Sequence, residues 1–225
     1  MRKVLKYGEE EMRRPVEIEF AVNLGEDGRT GEFFLLQIRP MVDTNMQLDE
    51  DLSEIPDEKC LLRSHSAIGH GIFDDIQDVV YVKTDNFSAS NNQTIADQIE
   101  KINRQLLDEG RRCVYIGPGR WGSSDPWLGI PVKWPHISAA RVIVEAGLDN
   151  FQVDPSQGTH FFQNLTSLGV SYFTINAFRG DGLFNEAWLN DLPAISETEY
   201  VRHVRFDQSL SIKVDGIHRE GVITI

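Results

Sequence analysis

The stretch PVEIEFAVNLGEDGRTGEFFLLQIRP, Pro15 to Pro40, decides how the chain begins to fold. Two runs rich in Val, Ile and Phe, VEIEFAVN and EFFLLQIRP, flank a turn that contains Gly25, Gly28 and Gly31. This is the sequence form of a β-hairpin with a long loop. Successive side chains of a strand point to opposite faces. Glu17 and Glu19 therefore share one face of the first strand, and Val16, Ile18, Phe20 and Val22 share the other. On the return strand Gln37 and Arg39 share a face, opposed by Phe34, Leu36 and Ile38. A register that brings the two polar sets together puts two carboxylates, an amide oxygen and a guanidinium on one side of the ribbon. Carboxylate and amide oxygens suit a hard cation such as Mg²⁺, which keeps waters and takes further ligands from substrate phosphates. An arginine beside it grips phosphate as a planar fork. The same pattern also describes a solvated hairpin with a cross-strand Glu19–Arg39 pair, worth about 0.2–1 kcal/mol.

The order IEF, Ile18–Phe20, followed by LQIRP, Leu36–Pro40, resembles the end of the ATP-grasp nucleotide-binding domain of the phosphoenolpyruvate synthase and pyruvate phosphate dikinase family. The resemblance covers about residues 14–41, with a longer loop than is usual in that family. It implies that Glu19 and Gln37 hold the metal on ATP and that Arg39 contacts the phosphates during transfer. It implies ATP and Mg²⁺ as cofactors and, as the parent protein, a cytoplasmic ATP-dependent phosphotransferase, a kinase of the phosphoenolpyruvate synthase or pyruvate phosphate dikinase kind whose acceptor the sequence does not give. Fourteen residues before the hairpin cannot supply the rest of such a domain. The chain is therefore expected to be the carboxy-terminal piece of a longer polypeptide, to have the upstream ATP-grasp segment as its partner, and to be inactive alone.

Outward from the hairpin, MRKVLKYGEEEMRR is dense in Lys, Arg and Glu, with no apolar centre. It fits a short helix and not a signal peptide. The whole chain has 225 residues, 40% of them hydrophobic and 25% charged, enough for a sizeable core in one or two domains. Its net charge of −13 disfavours nucleic acid and anionic membranes as partners. No apolar run is long enough to span a bilayer. Cys60 and Cys113 are far apart and lack C-x-x-C spacing, so neither a zinc site nor a disulfide framework is indicated.

After Pro40 the acidic segment MVDTNMQLDEDLSEIPDEK reads as a linker over 42–59. That leaves three parts: a terminal hairpin over 1–41, the linker, and a mixed α/β domain over 60–225. The third part opens CLLRSHSAIGHGIFDDIQDVVYVK, with DVVYVK as a strand. Ser64-His65-Ser66-Ala67 partly resembles the phosphate-carrying histidine context of the same enzyme family, although Arg63 stands where a Thr is expected and Leu61 and Leu62 where glycines are. An ordinary loop histidine accounts for His65 better. Ile95, Ile99, Ile102 and Leu106 follow helical spacing, with Asn92 as N-cap and Gly110 at the end.

CVYI, a short apolar strand, then runs into GPGRWGSSD. Gly117, Gly119, Arg120, Ser123 and Ser124 after a strand can form a backbone nest for an anion, such as a small phosphorylated metabolite. No GK[ST] follows, so this is not a P-loop. A structural loop pinned by Trp121 and Trp127 has the same signature. His160, in a helix starting at Thr159 with Phe161, Phe162, Leu165 and Leu168 on its apolar face, is a further candidate for that pocket. Arg141–Glu145 and VSYFTIN read as strands, FNEAWLNDL as a short helix, and SIKVDG with EGVITI as an antiparallel pair. The fold expected is mixed α+β. Residues 60–225, with the glycine loop, resemble the end of bacterial phosphoenolpyruvate synthase-like proteins. They can equally be a small-anion-binding regulatory module or a purely structural one.

Overall fold

The computed structural model describes residues 2–12, 16–25, 31–40, 48, 50–85, 87–149, 151, 165 and 168–225. Contacts divide the chain into two compact units, Met1–Asp43 and Thr44–Ile225. The fold is mixed α+β, with a two-stranded hairpin sheet first and a large curled ten-stranded mixed sheet after it.

In the first unit, helix α1 (Arg2–Met12) leads into strands β1 (Val16–Leu24) and β2 (Gly31–Pro40), which pair antiparallel. The basic residues of α1 stand in its first half and Glu9, Glu10 and Glu11 in its second. That arrangement opposes the helix dipole, so α1 depends on packing. Gly8 supplies it: a Cβ there would lie 2.4 Å from Ile38 Cδ1 and 2.9 Å from Val16 Cγ2. The helix thus sits on the Val16–Ile38 face, and the side chains of Phe20, Val22, Leu24, Phe33 and Leu35 further out stay exposed.

The second unit begins with β3 (Cys60–Ser64), β4 (Ser66–Ile68), β5 (Gly71–Val82) and β6 (Cys113–Pro118). Two short strands, β7 (Arg120–Trp121) and β8 (Gly129–Ile130), precede β9 (Ala140–Ala146) and β10 (Ser171–Ile175). Later come β11 (Leu183–Phe184), β12 (Ala194–Glu197), β13 (Val201–Asp215) and β14 (Glu220–Thr224). The order in the large sheet is β11–β3–β14–β13–β5–β6–β9–β10–β4, with β12 beside β13. β3 and β4 are contiguous in sequence yet lie near opposite ends of this path, so the sheet curls back upon itself. Ser64 Oγ donates to Thr174 O of β10 at 2.7 Å where the ends meet.

The run β5–β6–β9–β10 is parallel. Every residue of β6 and β10 is buried, as central parallel strands require. Alternation sends Val114, Ile116, Val142, Val144, Phe173 and Ile175 into the curled interior. Tyr115, Ile143 and Tyr172 pack outward under helix α2 (Asn92–Asp108), through Ile95, Ile99, Ile102 and Leu106. The N-cap of α2 is Asn91, one residue earlier than the spacing suggests. Its end follows expectation: Gly110 takes φ +67°, Gly110 N–H donates to Leu107 O, and Arg111 N–H donates to Leu106 O. Helix α3 (Glu186–Asp191) buries Leu189. The β13–β14 pair is antiparallel as read from the tail.

Part of the segment read as a linker is built into the second unit. Leu52–Glu54 and Asp57–Lys59 form 3-10 turns. Arg63 of β3 reaches back to Asp57 Oδ1 at 2.8 Å, to Leu52 O at 2.8 Å and to Ile55 O. Leu52 joins Cys60 and Val222 in a small core of its own. An acidic segment is held here by one arginine and one buried leucine, which composition alone does not reveal. The expected helix from Thr159, with Phe161 and Phe162, lies outside the described residues, and Leu168 is exposed.

Candidate functional site

The register of the hairpin sets Glu19 opposite Gln37 and Glu17 opposite Arg39. Directly opposed residues share a face, with Cβ atoms about 4.5–5.5 Å apart. Glu19 and Gln37 are both exposed, on the face away from α1. The side chains of Glu17 and Arg39 lie outside the description, so those two are placed by backbone alone. Beyond Glu19 the register shifts: Phe20 pairs with Leu35, and Leu36 has no opposite number. This β-bulge corrects the alternation expected for the return strand. Phe34 falls on the polar face, opposite Ala21, while Leu35 and Phe33 join the apolar one.

The oxygen donors of Glu19 and Gln37 fit a hard cation. Among the described residues no cluster of three or more His, Cys, Asp or Glu could hold a metal by itself. A cation on this face would therefore complete its shell with water and phosphate oxygens.

The GPGRWGSSD loop leaves the carboxyl end of parallel β6, the edge where α/β sheets place ligands. Three of its backbone N–H groups are spent on the protein. Gly119 N–H donates to Ala146 O, Arg120 N–H to Leu128 O and Gly122 N–H to Ile130 O. β7 and β8 form a short parallel pair across the loop. Gly119 and Gly122 do have positive φ, +77° and +75°, but their N–H groups do not converge on an open point. Gly117 is a packing glycine, since a Cβ there would sit 2.8 Å from Ile130 Cδ1 and 3.0 Å from the Trp121 ring. Trp121 is buried and donates Nε1–H to Val144 O at 3.1 Å. Ser123 Oγ donates to Asp125 O at 2.8 Å.

Three donors of the expected nest are thus taken, while side chains of the loop stay available. Ser124 is exposed, and Arg120 is half-buried with no hydrogen-bond or ion-pair partner for its guanidinium among the described residues. Trp127, 67% exposed, stands at the tip of the same loop. His160 lies outside the described residues.

The chain matches no family model, no curated protein and no solved structure.

Two carboxylates that sequence reading missed are buried. Glu145 of β9 pairs in register with Gly117 and is fully enclosed; it accepts from Tyr172 Oη at 2.7 Å and Thr174 Oγ1 at 3.3 Å. Asp78 of β5 lies against His203 Nε2 at 2.8 Å, Arg205 Nε at 2.7 Å and Arg111 Nε at 2.5 Å, and Arg205 continues to Glu109 at 2.7 Å. Burial pushes the Asp78 carboxyl up, but the hydrogen bonds from His203, Arg205 and Arg111 outweigh it and hold the group below its ordinary range. Asp78 and His203 are wholly enclosed, so no substrate touches them. The cluster ties β5 and β13 to the end of α2. The residues lie 125 positions apart in the case of Asp78 and His203, and no local motif marks such a pair. His65 stands at the bend between β3 and β4, half-exposed, with Nδ1 3.7 Å from Glu220 Oε1.

Proposed function

We propose that the first unit is the closing hairpin of the nucleotide-binding domain of a cytoplasmic ATP-dependent phosphotransferase like phosphoenolpyruvate synthase or pyruvate phosphate dikinase. The observation that supports this most is the register, which opposes Glu19 to Gln37 and Glu17 to Arg39 on one face. In this role Glu19 and Gln37 hold Mg²⁺, and Arg39 grips the phosphates. A metal held by Glu19 and Gln37 would supply positive charge against the phosphates during transfer. The hairpin itself orients and neutralises, which is most of what phosphoryl transfer needs from a protein. A second support is the apolar surface formed by Phe20, Val22, Phe33, Leu35 and Leu36, left uncovered from the bulge outward. An apolar surface left open on a two-stranded sheet fits an upstream segment of the same polypeptide as its cover.

The test is turnover. Purified alone, the chain should show no ATP- and Mg²⁺-dependent phosphotransfer to pyruvate or water, because one helix and two strands hold no adenine pocket. Turnover by the isolated chain that disappears in Glu19→Ala would contradict this reading.

The guanidinium of Arg120, without a partner among the described residues, favours a second reading, in which residues 60–225 recognise a small anionic or phosphorylated metabolite at the GPGRWGSSD loop. With the N–H groups of Gly119, Arg120 and Gly122 spent, the Arg120 and Ser124 side chains would carry that recognition.

A further inference from the structure

The run Phe33-Phe34-Leu35-Leu36 is apolar throughout, so the hydrophobic pattern is satisfied in either register. Without a bulge Leu36 would face Phe20 and Phe34 would face Val22. With it, Leu35 and Phe33 take those places, Leu36 is left 60% exposed, and Phe34 turns to the polar face. Burial therefore gives no reason for the bulge, and a register is weakly specified where both faces are apolar. The irregularity nevertheless falls directly against the Glu19–Gln37 pair and nowhere else along the ladder. A bulge sharpens the local twist, leaves one residue's peptide groups out of the ladder and re-aims the side chains beside it.

We propose that the bulge at Leu36 is a positioning device, which turns Gln37 so that its amide oxygen and the Glu19 carboxylate converge on one cation. Leu36 acts through Gln37 and touches neither metal nor nucleotide. The inference rests on reading this face as a metal–nucleotide site, and it adds the specific claim that the backbone irregularity, and not the leucine side chain, sets the donor geometry.

The test uses the full chain and Mn²⁺ alone as a paramagnetic probe, reading line broadening of the Glu19 and Gln37 amide signals. Three variants accompany the unmodified chain. Deleting Leu36 keeps the pairs on either side and makes the ladder regular. Inserting Thr between Glu19 and Phe20 regularises it by giving Leu36 an opposite number. Leu36→Gly removes the side chain and keeps the bulge. Amide-exchange protection in β1 and β2 reports whether each hairpin is formed. The unmodified chain and Leu36→Gly should broaden at the same Mn²⁺ concentration, and a formed, regularised hairpin should need at least about tenfold more. Equal broadening in a regularised hairpin overturns the inference while leaving the metal reading intact. Loss of broadening in Leu36→Gly with the hairpin formed also overturns it, since the side chain would then be the cause. If both regularised hairpins lose protection, the bulge is a folding requirement and not a positioning device. No broadening in the unmodified chain overturns the metal reading, and this inference with it.

Discussion

Arg120 and Asp78 are the two residues whose surroundings differ most from what their sequence context suggests. Arg120 sits among glycines and serines that read as an anion nest, yet the N–H groups of Gly119, Arg120 and Gly122 are already donated to carbonyls. The sequence displays turn chemistry but not which carbonyl a loop N–H meets, because those partners, such as Ala146, come from other strands. Since Arg120 has no partner of its own among the described residues, Arg120→Ala should change stability by no more than about 0.5 kcal/mol and leave the melting temperature nearly unchanged. If the loop binds an anion, the same variant should abolish phosphate binding by calorimetry. Unchanged phosphate binding, or a clear fall in melting temperature, would make the loop purely structural. Asp78 is the opposite case, a buried charge with three donors and no motif. Asp78→Ala strands two arginines and should cost about 3–5 kcal/mol in denaturant unfolding. Its folded pKa is lowered, so the stability it contributes is present above the ordinary carboxylate range and is lost as pH falls towards the folded value. Acid titration of stability should therefore be flatter below about pH 4 in Asp78→Asn than in the unmodified chain. Equal slopes would remove Asp78 from the account of acid sensitivity.

At the level of elements, strong periodicity was legible and irregularity was not. The stripe of Ile95, Ile99, Ile102 and Leu106 and the glycine at 110 give α2 and its end, because both follow from local spacing and local φ. The hairpin was legible from its composition, and the facing of Glu19 and Gln37 from its alternation. The bulge that lies between them and the loop was not, since Phe33–Leu36 satisfies either pattern. The acidic strap over Leu52–Lys59 was missed for another reason: its anchor, Arg63, belongs to the next strand. That anchor gives a direct expectation. Glutamyl endopeptidase should cut slowly at Glu54 and Glu58 in the unmodified chain and much faster in Arg63→Ala, with the second unit still folded by circular dichroism. Equal cutting rates would show that Arg63 does not hold the strap.

Across the whole molecule, the second unit is a curled sheet whose two ends meet at Ser64–Ser66 and whose inner and outer cores are set by alternation along β6, β9 and β10. Individual strands could be read one by one. Their order could not, because β3 and β13 are joined only through β14 and no local signal encodes that neighbour. The candidate metal face, by contrast, lies within one hairpin, so the residues proposed for it can be read from two strands of sequence. In the proposed function Glu19 and Gln37 hold the metal of a nucleotide site completed by an upstream segment. The measurement that tests it most directly is Mg²⁺-dependent ATP turnover by the longest polypeptide of the native reading frame, with and without Glu19→Ala. Turnover is expected in the unmodified protein, with a fall of at least about a hundredfold in the variant, as for loss of a residue that holds a charge-stabilising cation. Turnover unchanged by Glu19→Ala, or none from the longest polypeptide, would contradict it.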